Sequence, residues 1–79
     1  LNKDEHQNKK ILEEQIQWCK EQDQILEEIE TKLFEMKKIA EYSLEYELTS
    51  DEIDELNGQL QELKCEVQSL EKQLHPVVH

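Results

Sequence analysis

Arginine is missing from this 79-residue chain, and glycine and proline occur once each, at Gly58 and Pro76. One glycine and one proline cannot punctuate the several turns that a sheet or a compact helical domain requires. Aromatic residues make up only 5%, which argues against a chain this short closing a core by itself. No apolar run approaches the roughly 18 residues needed to span a bilayer. No charged start followed by an apolar stretch suggests a signal peptide. The sequence opens on Leu1 rather than Met and is expected to be an excised piece of something longer. Long helix is what remains. A content of 37% charged and 35% hydrophobic residues fits a coiled coil when Leu, Ile and Gln recur at helical spacing.

With no arginine, 9 lysines stand against 20 acids, for a formal net charge of -11. Nucleic acid is excluded as a partner on this balance, because binding phosphates gains affinity from releasing their counterions and this chain would add negative charge instead. Anionic membranes are disfavoured on the same grounds. Cys19 and Cys65 form no CxxC pair. They read as reduced thiols of a cytoplasmic protein, with the nucleus as the alternative.

Every seventh residue from Ile11 gives Ile11, Trp18, Ile25, Lys32, Ile39, Tyr46, Ile53, Leu60, Val67 and Leu74, and Lys32 alone breaks an otherwise apolar column. A column that holds its phase this far follows 3.5 residues per turn, the period of a left-handed supercoil. This is the a column of the heptad. Three residues further on, Leu56, Leu63, Leu70 and Val77 supply the d column of the C-terminal half. Pro76 is expected to end the helix.

The N-terminal half differs, since its d frame reads Glu14, Glu21, Glu28 and Glu35. Four glutamates cannot line a dry seam. Apolar residues fall instead one position after the a column, at Leu12, Cys19, Leu26, Leu33 and Ala40, and four after it, at Ile29 and Met36. With Ile16 they form a stripe about 100° wide, broad enough to touch more than one neighbour. Leu12, Ile16, Cys19, Leu26, Ile29, Leu33 and Met36 are therefore the candidate partner-binding residues.

The phase changes between the two halves, around residues 37–52. Residues 41–55 hold seven acids and no base. Here Leu48-Thr49-Ser50-Asp51-Glu52-Ile53 carries a helix-start signature: Thr49 can cap the Glu52 N–H, Glu52 can reach back, and Leu48 can staple against Ile53. Against a break stand the absence of Gly and Pro between Ala40 and Asn57 and the unbroken phase of the a column. The expectation is an all-α chain with one continuous helix over residues 4–74, loosely helical over 1–10, coiled coil over 11–75 and disordered over 76–79. A parallel dimer is favoured, with an antiparallel or hairpin bundle as the alternative.

Candidates for chemistry are few. His75 and His79 have Pro76 between them and no third ligand nearby. Cys19 has no partnered His. Neighbouring acids such as Glu13 and Glu14 point to different sides of a helix and cannot share a substrate. No catalytic, cofactor or metal site is expected. Trp18 is bulky for a two-stranded seam; it reads first as a tolerated core residue beside Cys19 and Ile25, and second as an anchor in a wider bundle or a partner's groove. Lys32, as a polar a residue, can restrict register and strand number. The flanking positions of a parallel dimer form no ion pairs, and Glu66 against Glu71 is repulsive, so association has to rest on apolar contact. The function expected is a non-enzymatic oligomerisation segment of a larger scaffold or cytoskeleton-associated protein. The alternative is a docking module that takes a helical or basic partner on the N-terminal stripe and the acidic junction.

Overall fold

The computed structural model describes residues 3–74. Among these the chain is all-α: α1 (Lys3–Glu45) and α2 (Ser50–Glu71) are joined by residues 46–49, with no strand. The expected stop at Pro76, the tail over 76–79, Val77 of the d column and the His75/His79 pair lie outside the described residues. The molecule measures 71 × 19 × 18 Å, with a radius of gyration of 20.3 Å. A compact chain of this length would have a radius near 12 Å, by about 2.2·N^0.38.

One continuous helix was the expectation, and the chain instead breaks after Glu45. Three local forces act there. Glu45 adds to the negative end of the α1 dipole, whose last turn contains no base, while Lys37 and Lys38 hold Glu41 a turn earlier at 3.9 and 3.8 Å. Ser43 Oγ donates back to the Ala40 carbonyl at 2.7 Å, a bond that competes with regular helix. Thr49, extended at φ -72°, ψ 164°, then starts α2 with a complete capping box. The Glu52 N–H donates to Thr49 Oγ1 at 3.1 Å, and the Thr49 N–H donates to Glu52 Oε1 at 3.2 Å. The Thr49 hydroxyl also donates to that carboxylate, at 3.0 Å. Asp51 and Glu52 lie at the positive end of the new helix, where negative charge is favourable.

A longer-range mismatch adds to these. Along α1 the inward residues are Ile25, Ile29, Lys32, Met36 and Ile39, and along α2 they are Leu56, Leu60, Leu63, Val67 and Leu70. The a column therefore pairs with the residue four ahead in α1 and three ahead in α2. A straight coil would take consecutive three-residue steps at Ser43, Tyr46 and Thr49, which overwinds it locally.

The two helices pack antiparallel. Ile39 and Tyr42, late in α1, share a groove with Glu52 and Leu56, early in α2, while Lys32 pairs with Glu66 further along. Ile29, Val67 and Leu70 form the core at 7–9% exposure, with Ile25, Met36 and Leu74 packed against them. Past Glu71 the chain tightens, Gln73 and Leu74 donating to the carbonyls three residues back, so α2 ends before the expected Leu74.

Candidate interaction surface

Burial sorts the sequence columns into one closed face and one open face. The closed face is the seam between the helices. It takes Ile25, Lys32 and Ile39 from the a column of α1, and Leu56, Leu60, Leu63, Val67, Leu70 and Leu74 from the two columns of the C-terminal half, all buried or half-buried. Ile29 and Met36, grouped above with the partner-binding stripe, lie instead in this seam. The reason is geometric: with glutamate at the d positions 14, 21, 28 and 35 of α1, its apolar face turns toward the residues four ahead of the a column.

Lys32 occupies the centre of the seam. Its ammonium donates to the Glu66 carboxylate at 2.8 Å, with both side chains partly exposed. That bond raises the Lys32 pKa above the ordinary lysine value; partial burial opposes the rise, and the charges of Glu66, Glu35 and Glu28 add to it.

The open face belongs to α1. Ile11, Leu12, Ile16, Leu26 and Leu33 are each 50–58% exposed, and Trp18 is 36% exposed. Cys19 lies among them as an exposed free thiol, and Cys65 on α2 is likewise free and exposed. By the register of Lys32 and Glu66, Leu74 reaches the level of Ile25, and α2 does not extend to residues 3–21, a stretch of roughly 28 Å at 1.5 Å per residue. Ile11 and Trp18, two members of the expected seam, fall on this stretch. Tyr46 and Ile53, two more, flank the turn and are also exposed.

Two residues outside every heptad column enlarge the apolar surface. Phe34 is 55% exposed and carries the Lys38 ammonium 5.1 Å from its ring centroid, a cation–π contact. Leu44 is 88% exposed. Seven-residue periodicity passes over both; the cue available in the sequence is only that they are large apolar residues out of phase. Glu66, which faces Glu71 in a parallel dimer, pairs instead with Lys32 because the helices run antiparallel.

Among the described residues no group of three or more His, Cys, Asp or Glu side chains could hold a metal ion, and no helix is long and apolar enough to cross a membrane. Grooves of about 370 and 290 Å³ flank the turn. Glu52 and Glu55 of α2 line the larger one, and Glu52 is engaged by its capping bonds. Comparison with protein-family models, curated proteins and solved structures finds no match for the chain.

Proposed function

We propose that the chain is a non-enzymatic helical association module of a larger scaffold or cytoskeleton-associated protein, which oligomerises that protein by burying the open face of α1 against a second copy. The observation that carries this is the pairing of a thin core with a broad apolar stripe. Three side chains are buried among the described residues, while Ile11, Leu12, Ile16, Leu26 and Leu33 remain half exposed on one helix. The accessible surface is 6981 Å², against about 5,050 Å² for a compact monomer of this mass from the 6.3·M^0.73 scaling. The excess exceeds the roughly 800 Å² that each partner contributes to a standard stable interface. Because the C-terminal seam is taken up by the hairpin, association moves from that seam to the α1 stripe. Two exposed thiols fit a reducing compartment such as the cytoplasm.

Sedimentation of the chain over a range of concentrations tests this. The unmodified chain forms dimers or larger species, and the double variant Leu12→Asp, Leu26→Asp associates more weakly while keeping its helical circular dichroism, since both residues lie on the exposed stripe and outside the hairpin seam. A helical monomer at all concentrations, or assembly untouched by the two substitutions, contradicts the proposal.

A second reading, docking of a basic partner helix on the same stripe, is favoured by charge. Two copies bring together a formal charge of -11 each. Salt separates the readings: screening weakens repulsion between copies and so strengthens self-association, whereas it weakens the attraction for a basic partner.

A further inference from the structure

The hinge between the helices has unusual chemistry for a turn. Residues 46–49 include neither glycine nor proline, and among the described residues none adopts a positive φ. No residue of the turn is therefore of a type, or in a left-handed conformation, that would bar a straight helix. The a column also runs through the hinge in phase, as Ile39, Tyr46, Ile53 and Leu60, although Tyr46 and Ile53 are 55% and 45% exposed in the hairpin. In the hairpin the Tyr46 ring packs on Tyr42, with centroids 4.7 Å apart, and Ile53 borders a groove with Leu48, which leaves about half of each side chain for a further contact along the column. The third observation is the register. Lys32 and Glu66 pair across the seam at 2.8 Å, and position 49, the cap residue of α2, lies midway between them.

From these we infer that two copies of the chain exchange α2: each straightens through residues 46–49 and lies antiparallel to the other, so that α1 of one copy packs on α2 of its partner. Because the seam is centred on the hinge, every pairing of the hairpin forms again between chains, and Lys32 meets the second copy's Glu66 twice in the dimer. Exchange of an identical element is a low-cost route to a dimer, and a short hinge favours it. Straightening adds helical hydrogen bonds through the hinge and brings Tyr46 and Ile53 into the seam. It forfeits the capping box and overwinds the coil near Thr49. The result is a rod of two helices of about 108 Å each at 1.5 Å per residue, with an unpaired α1 end at each extremity. It does not depend on what covers the open α1 stripe, but it would place two such stripes at opposite ends.

The cap gives the exchange an unusual sign test. Thr49 caps a helix only in the hairpin; in the rod it is a mid-helix residue. Thr49→Ala therefore weakens the hairpin and favours the rod, and removing the cap from both chains should raise the dimer association constant roughly five- to thirtyfold. Thr49→Gly keeps much of the cap, as glycine is a tolerated N-cap, and disfavours the straight helix, so its dimer fraction should fall below that of Thr49→Ala. Both variants are checked for helicity by circular dichroism and for mass by sedimentation. In the dimer fraction of Thr49→Ala, spin labels on Cys19 and Cys65 of one chain, diluted with unlabelled chain, should lie about 69 Å apart. A dimer that keeps a separation near 23 Å, the hairpin value from the same rise and about 10 Å between axes, overturns the exchange and shows whole hairpins docking side by side. No gain of dimer in Thr49→Ala over Thr49→Gly overturns it as well.

Discussion

Lys32 and Glu66 meet at 2.8 Å across the centre of the helix–helix seam, and this contact ties the one polar residue of the a column to an acid 34 positions away. It lies beside Ile29 and Val67 of the core, and it aligns the two helices. Sliding the pairing by a turn would set Lys32 against Leu63 or Leu70 and remove its partner.

Replacing the lysine should raise stability and loosen that alignment. Glu66 is 41% exposed and keeps its water when Lys32→Ile removes the ammonium, so the change mainly adds apolar burial. The melting temperature of Lys32→Ile should therefore rise, by roughly a few degrees for a domain of this size. Lys32→Glu sets like charges together and should lower it. Equal shifts for both variants in thermal circular dichroism would show that the residue does not face Glu66.

The same pair makes a prediction in pH. The folded-state pKa of Lys32 is raised, with the Glu66 bond as the first cause, so its contribution is complete below the unfolded lysine value. It is lost as pH rises through the folded value, in the window above about pH 10. The melting temperature of the unmodified chain should fall more steeply there than that of Lys32→Met. Parallel curves would contradict the assignment.

Truncating the core should cost far more than truncating the surface. Ile29→Ala and Leu70→Ala each remove a side chain at 9% exposure and should destabilise by about 2–3 kcal/mol, the lower part of the range for core truncations. Leu44→Ala, at 88% exposure, should stay within about 0.5 kcal/mol. Urea titration followed at 222 nm reports all three.

Much of this was visible in the sequence, and the parts that were not have physical causes. The all-helical class follows from composition and from the column through Ile25, Ile39, Leu60 and Val67. The capping box of Thr49 and Glu52 was also legible, residue for residue. Its weight against the column's phase was not, because a seven-residue repeat is equally compatible with a straight rod and with a hairpin folded on a multiple of the repeat. Ile29 and Met36 stood out as apolar residues four past the column, yet which neighbour they touch depends on the antiparallel register, which no spacing along one chain encodes. Phe34 and Leu44 obey no period and become visible only as exposed side chains.

Trp18 offers a direct signal for association. It sits on the part of α1 that α2 does not reach and is 36% exposed. Its fluorescence should shift to the blue as concentration rises and assembly covers it, and Leu12→Asp, Leu26→Asp should weaken the shift. Emission independent of concentration in a sample that sediments as a dimer would place the interface elsewhere.

The antiparallel hairpin of the single chain is the central claim, and the two native cysteines test it. With spin labels on Cys19 and Cys65, in dilute solution where sedimentation shows a monomer, the hairpin sets the intrachain separation at about 23 Å, combining 14 residues of axial offset with about 10 Å between helix axes. A monomer with a dominant separation near 69 Å, the length of a continuous helix between those positions at 1.5 Å per residue, would contradict it.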